Sequence, residues 1–123
     1  MKACKTYYIA TVDGDHPRVR PFGTVDIFEG KLYIQTGRKK NVSKQMHENP
    51  KIEICAIMGG KWLRVAATAV SDDNIEAEKH LLAAYPELAE MYKPGDGNNE
   101  VFYLKDAMAT FSSFTDAPKV IKF

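Results

Sequence analysis

Lys51-Ile52-Glu53-Ile54-Cys55-Ala56-Ile57-Met58 runs into Gly59-Gly60 and returns as Trp62-Leu63-Arg64-Val65-Ala66-Ala67-Thr68-Ala69-Val70. Two apolar stretches with β-branched residues, joined by a glycine pair, read as a β-hairpin. A tight turn that matches strand twist needs positive φ, and glycine adopts it without steric cost. The centre of the chain is therefore antiparallel β. Just upstream, Asn49-Pro50 ends a helical stretch, because proline disfavours helical geometry in the residue before it. Between Lys39 and Asn49, Val42 and Met46 stand at i, i+4 on one face, while Lys40, Ser43, Lys44 and His47 fall elsewhere.

Further back the chain reads as a β-meander. Tyr7-Tyr8-Ile9-Ala10-Thr11-Val12 is aromatic and β-branched and stops at Asp13-Gly14, a turn dipeptide. Arg18-Val19-Arg20 leads through Pro21 and Phe22 into Thr24-Val25-Asp26-Ile27-Phe28. Glu29-Gly30 then turns the chain into the alternating strand Lys31-Leu32-Tyr33-Ile34-Gln35-Thr36. Downstream, Asp73 with Glu76 has the spacing of a capping box, and Ile75 and Leu82 mark an amphipathic helix to about Ala84. Pro86 opens a short turn to Met91, and Lys93 to Asn99 is a loop by composition. Val101 to Leu104 and Ala107 to Phe114 close the chain as strands. The sum is six or seven mostly antiparallel strands, with one helix between the third and fourth and another after the fifth. That pattern predicts a mainly β domain, a small barrel with helices at its rim.

A length of 123 residues, 45% apolar and 27% charged, predicts one folded domain spanning 1–123. Seventeen basic against sixteen acidic residues leave a net charge of +1, so no global field attracts nucleic acid or an anionic membrane. Cys4 and Cys55 are too few for a disulfide scaffold and are expected as reduced thiols, Cys55 in the core. No apolar run is long enough for a membrane helix, and Met1-Lys2-Ala3-Cys4-Lys5 has no apolar segment behind it. The expectation is a cytoplasmic protein.

Most motif chemistry is excluded. Asp13 with Asp15, and Asp72 with Asp73, belong to a turn and a helix start. His16, His47 and His80 lack metal-ligand spacing, so no metal is expected. Ser112-Ser113 has no nucleophile elbow around it, and neither a Gly-x-Gly-x-x-Gly nor a P-loop is present. No catalytic residue is identified. The basic residues are more informative. Arg18 and Arg20 alternate on one strand face, and Arg38-Lys39-Lys40 lie where a strand gives way to a helix, with Thr36 before them and Ser43 after. Paired guanidinium donors, lysine charge, hydroxyls and helix-start N–H groups are the mixture a phosphate needs. Trp62, the one tryptophan, opens a strand directly after the hairpin and suits either a core or the border of a planar ligand.

The order Ala10-Thr11-Val12-Asp13-Gly14, Pro17-Arg18-Val19-Arg20-Pro21, Leu32-Tyr33-Ile34-Gln35-Thr36, Lys39-Lys40, Asn49-Pro50 and Trp62-Leu63-Arg64-Val65 resembles the pyridoxamine 5′-phosphate oxidase-like FMN-binding split barrels. The resemblance covers nearly the whole chain. It implies a six-stranded antiparallel split β-barrel and a homodimer with FMN in clefts at the subunit interface. By the resemblance, Arg20 and its flanking backbone (Arg18, Val19, Pro21 and Phe22) lie along the flavin and its phosphate. Thr36 lines the phosphate pocket and Lys39 and Lys40 form its basic turn, while Trp62 and Arg64 reach the flavin from the partner subunit. The oxidases proper carry Ser-Arg-Lys in that turn and an arginine-rich C-terminal segment that grips the substrate's phosphate. Here Lys39-Lys40-Asn41 stands nearby and no arginine follows Arg64, so the cofactor carries over and pyridoxamine phosphate does not. The expectation is an FMN-dependent oxidoreductase acting on a small molecule (a flavin, nitro compound or quinone) with a nicotinamide donor. Non-enzymatic flavin storage or sensing is the alternative. Haem or a deazaflavin in the same barrel is a third reading, with His16 or His80 as the haem ligand.

Overall fold

The glycine-linked pair of strands is the middle of a single antiparallel sheet in the computed structural model, which describes residues 5–123. In chain order the elements are β1 (Tyr7–Asp13), β2 (His16–Phe22), β3 (Asp26–Phe28), β4 (Lys31–Gly37), α1 (Asn41–Glu48), β5 (Lys51–Met58), β6 (Lys61–Ser71), α2 (Ile75–Ala84), a 3-10 segment (Pro86–Glu90), β7 (Asn99–Ser113) and β8 (Lys119–Lys122). The sheet order is β2-β1-β5-β6-β7-β4-β3, with β8 also paired to β7. Six strands have seven or more residues and make the expected barrel; β3 and β8, of three and four residues, are short additions at its edges.

The two ends of this order, β2 and β3, are neighbours in the chain, joined only by Gly23-Thr24-Val25. A link of that length spans at most about 14 Å, so the sheet must curl until its first and last strands meet. Tyr7 Oη donates to the Thr24 carbonyl at 2.6 Å, and Thr24 Oγ1 donates to the Gln35 carbonyl at 3.2 Å. These bonds tie β1 and β4 to the link from either side. Period-two alternation turns Tyr7, Ile9, Ile34, Ile52, Ile54, Val65, Phe102 and Leu104 inward, and with Val42 and Met46 of α1 they form one buried cluster. This interior is the split barrel.

Several local expectations are corrected. Val101–Leu104 and Ala107–Phe114 are one strand, β7, because Asp106 takes φ 51 and forms a bulge instead of a break. Ala66 faces Met108 while Thr68 faces Lys105, so the extra residue lies on β7. The run from Arg18 to Phe28 is two strands, β2 and β3, and not one. The cap of α2 is Asn74, whose Oδ1 accepts from the N–H groups of Glu76 and Ala77; Asp73 pairs instead with Arg38, and Asp72 accepts from Tyr33 Oη. Cys55 is half-buried and lies between the inward Ile54 and Ala56, which puts its side chain on the outer face of β5. Cys4 lies outside the described residues. None of the described helices is long and apolar enough to cross a membrane.

Candidate functional site

Arg20 sits on β2, an edge strand bonded on one side only. Its guanidinium reaches over β1 to α1: Nη1 donates to Thr11 Oγ1 at 2.7 Å and to the Ile9 carbonyl at 3.4 Å, and Nη2 donates to Gln45 Oε1 at 2.5 Å. Thr11 Oγ1 also donates to Gln45 Oε1, at 2.6 Å, and both side chains are buried. All of these acceptors are neutral. Arg20 has no ion pair among the described residues, whereas Arg18, further out, pairs with Asp13 at 3.2 Å. Partial burial, and next the charge of Arg18, hold the Arg20 guanidinium below its ordinary pKa. A fixed, half-buried positive charge without a carboxylate favours an anion.

Beside it, α1 begins without a cap. Lys40 occupies the N-cap position, makes no side-chain cap hydrogen bond, and no acidic residue stands in the first turn. The first N–H groups of a helix lack intrahelical partners and carry the positive end of the helix dipole. Thr36, near the end of β4, adds a third group. It is 3% exposed, and its Oγ1 has no hydrogen-bond partner among the described residues. A buried hydroxyl left unpaired costs about 1–3 kcal/mol. Thr36→Val keeps the shape and removes that cost, so it should raise the melting temperature of the ligand-free protein; a lower melting temperature would mean that the hydroxyl is already satisfied.

These groups converge on two adjoining cavities. One, of about 290 Å³, is lined by Arg20, Pro21, Phe22, Thr36 and Lys40, and is roofed by Tyr85, Leu88, Met91 and Tyr92 around the 3-10 segment. The other, of about 550 Å³, is lined by Arg18, Val19, Arg20, Lys40, Asn41 and Gln45. Arg20, Lys40 and Val42 border both. Arg18, Val19, Arg20, Pro21, Phe22, Thr36 and Lys40 are thus brought together. Lys39 lines neither cavity: it is exposed, and its backbone N–H is held by Asn98 Oδ1 at 3.2 Å. Trp62 and Arg64 on β6 also line neither. Trp62 packs edge-on against Phe114 with centroids 5.1 Å apart and borders an apolar groove of about 460 Å³ with Met58, Leu63 and Phe111. Arg64 is exposed and stands opposite Cys55 and Thr110.

The roof depends on Gly37. A Cβ there would lie 2.8 Å from Tyr92 Oη, 3.2 Å from Tyr92 Cε1 and 3.3 Å from Asn98 Nδ2. Gly37→Ala should therefore destabilise by about 1–3 kcal/mol and displace Tyr92, read by chemical denaturation. A neutral result would show that the roof yields freely.

Three features were not legible in the sequence. Gln45 and Ser43 are buried, although a two-residue apolar stripe predicts only Val42 and Met46 inside. Glu100 is the second: its side chain is fully buried and takes Arg38 Nη1 at 3.0 Å, Ser43 Oγ, His47 Nε2 at 2.7 Å and Ser71 Oγ at 2.9 Å. The third is His80, whose Nδ1 lies 3.0 Å from Asp26 Oδ2. No periodicity sets Glu100 apart from a solvated strand end, and its partners come from three distant segments. No group of three or more His, Cys, Asp or Glu suited to a metal occurs among the described residues.

The family model described as pyridoxamine 5′-phosphate oxidase matches residues 1–111. Among solved structures, the chain is 39% identical to a NimC/NimA family protein from Clostridium acetobutylicum, with a TM-score of 0.93 over 98% of this chain and 85% of that one. An FMN-binding, pyridoxamine 5′-phosphate oxidase-related protein from Nostoc punctiforme shares the fold at 14% identity, TM-score 0.62, covering 98% and 88%. A heme binding protein from Mycobacterium smegmatis shares it at 11% identity, TM-score 0.72, covering 96% and 52%. No curated protein matches the sequence.

Proposed function

The chain belongs to the pyridoxamine 5′-phosphate oxidase family, and from that premise we propose that it binds FMN and works as an FMN-dependent oxidoreductase. The reading is carried by one observation: a carboxylate-free arginine, an uncapped helix N-terminus and an orphaned buried hydroxyl border the same cavity. These are the donors a phosphate dianion lacks elsewhere, and Arg20, Lys40, Thr36 and the start of α1 would hold it. The exposed edge of β2 from Arg18 to Phe22 leaves backbone groups for the rest of the cofactor. Bound FMN supplies hydride or electron transfer, and the chain supplies position and electrostatics.

A homodimer belongs to the proposal, because Trp62 and Arg64 do not reach the cavity within one chain. The surface around them supports pairing: Phe114 is 88% exposed, Ile57 61% and Met58 55%, a concentration of apolar side chains that a lone soluble chain rarely shows. A second copy would bring its own Trp62 and Arg64 to the site. A nicotinamide donor and a small-molecule acceptor complete the reading. Haem has less support, since His16 and His80 line none of the cavities above and His80 is held by Asp26.

The test is a titration of purified protein with FMN, followed by flavin fluorescence, with sizing of the complex. Saturable binding to a dimer is expected, and no binding at any concentration overturns the reading. Consumption of a nicotinamide cofactor faster than with free FMN then separates an enzyme from a flavin carrier.

A further inference from the structure

The Arg20 guanidinium belongs to a closed triangle of side chains. Nη1 donates to Thr11 Oγ1 at 2.7 Å, Nη2 donates to Gln45 Oε1 at 2.5 Å, and Thr11 Oγ1 donates to the same Gln45 oxygen at 2.6 Å. A guanidinium only donates, so the carboxamide atom that faces Nη2 is the oxygen, and its two lone pairs are both used. Thr11 and Gln45 are 2% and 8% exposed, which holds both against turning out to solvent.

Gln45 also shares a wall with Arg20: both border the larger cavity, together with Arg18 and Lys40. The acid on that wall, Asp13, is half-exposed and pairs with Arg18 at 3.2 Å, not with Arg20. Position 45 therefore meets two demands at once. It supplies the acceptor that orients the fork, and it does so without charge. A glutamate has the same length and shape and would accept both hydrogen bonds, in charge-assisted form. By hydrogen-bond geometry the two side chains are interchangeable; they differ in that a carboxylate would cancel the charge of Arg20.

We propose that Gln45 is a positioning residue that aims Arg20, and that its neutrality is what leaves the cavity able to attract an anion. The charge of the site is thus set from α1, by a residue that no motif marks, and not by the basic residues alone. This rests on the flavin reading for the identity of the anion.

The experiment compares wild type, Gln45→Glu and Gln45→Leu for FMN binding, by flavin fluorescence, and for ligand-free melting temperature. Gln45→Glu keeps both bonds and should melt no lower than wild type, yet bind FMN at least about tenfold more weakly. Gln45→Leu leaves Arg20 charged but unheld and takes the acceptor from the buried Thr11 hydroxyl, so it should melt lower and lose less affinity than Gln45→Glu. The two variants then rank in opposite order on the two scales, which a merely structural role would not produce. A loss of affinity in Gln45→Glu no greater than in Gln45→Leu overturns the proposal while the flavin reading stands. So does a Gln45→Glu protein that melts as low as Gln45→Leu. If wild type binds no FMN, the flavin reading fails, and inorganic phosphate becomes the probe. Phosphate-dependent thermal stabilisation, measured against chloride at equal ionic strength, should then be lost in Gln45→Glu. No stabilisation of wild type, or the same in both proteins, overturns the assignment of Gln45.

Discussion

Glu100→Ala should lower folding stability by about 3 kcal/mol, the lower end of the range for breaking a buried ion pair. The carboxylate is wholly buried and serves four donors from two elements and a turn: Arg38 between β4 and α1, Ser43 and His47 on α1, and Ser71 at the end of β6. Removing it takes the acceptor from two hydroxyls, from the His47 ring and from Arg38 Nη1, while Arg38 Nη2 keeps Asp73. Arg38 and His47 retain 38% and 48% side-chain exposure and regain water, which limits the loss. Ser43 is buried and does not. Glu100→Gln keeps the volume and one acceptor and should lose less. Urea denaturation decides the matter, and a loss below about 1 kcal/mol in Glu100→Ala would mean that the cluster is a solvated surface pair. Because Ser43 and His47 anchor α1, anion affinity at the start of that helix should fall in the same variant.

Arg20→Ala should weaken FMN binding by about 1.5–3 kcal/mol, or roughly 10- to 150-fold in dissociation constant. The side chain carries a charge that no carboxylate offsets, and Thr11 and Gln45 hold its fork toward the cavity edge. Its removal leaves the fold intact, because Thr11 Oγ1 and Gln45 Oε1 remain bonded to each other at 2.6 Å. Affinity and stability should thus separate: a large loss of binding with little change in melting temperature. Arg20→Lys restores a charge without the two-nitrogen fork and should fall between. Added salt should shrink the difference between wild type and Arg20→Ala, as screening weakens the charge at this partly exposed position. Unchanged affinity would place the phosphate elsewhere.

Strand and helix positions were largely legible because they follow from local rules. The Gly59-Gly60 hairpin, the alternation of Lys31 to Thr36 and the stop at Asn49-Pro50 each depend on residues within one turn of themselves, and β5 spans Lys51 to Met58 as expected. Errors occurred where a polar side chain could choose its partner. Asp73 at a helix start has the spacing of a cap, yet a guanidinium from Arg38, distant in sequence, draws it away and Asn74 takes the role. Lys39 and Lys40 look equivalent in the chain; the N-cap geometry at Lys40 turns only one of them to the cavity.

By itself the sequence determined the antiparallel class, the two helices and the residue types a phosphate would need, since backbone preference and side-chain period act over a few residues. Only the tertiary structure decided which of those residues meet. The curl of the sheet is enforced by a three-residue link between its edge strands, and it carries Arg20, Thr36 and Lys40 to one cavity and leaves Trp62 and Arg64 outside it. It also set which polar groups are satisfied internally and which, like the buried Thr36 hydroxyl, are left without a partner among the described residues. Satisfaction is a property of pairs far apart in the chain, and no local pattern encodes it.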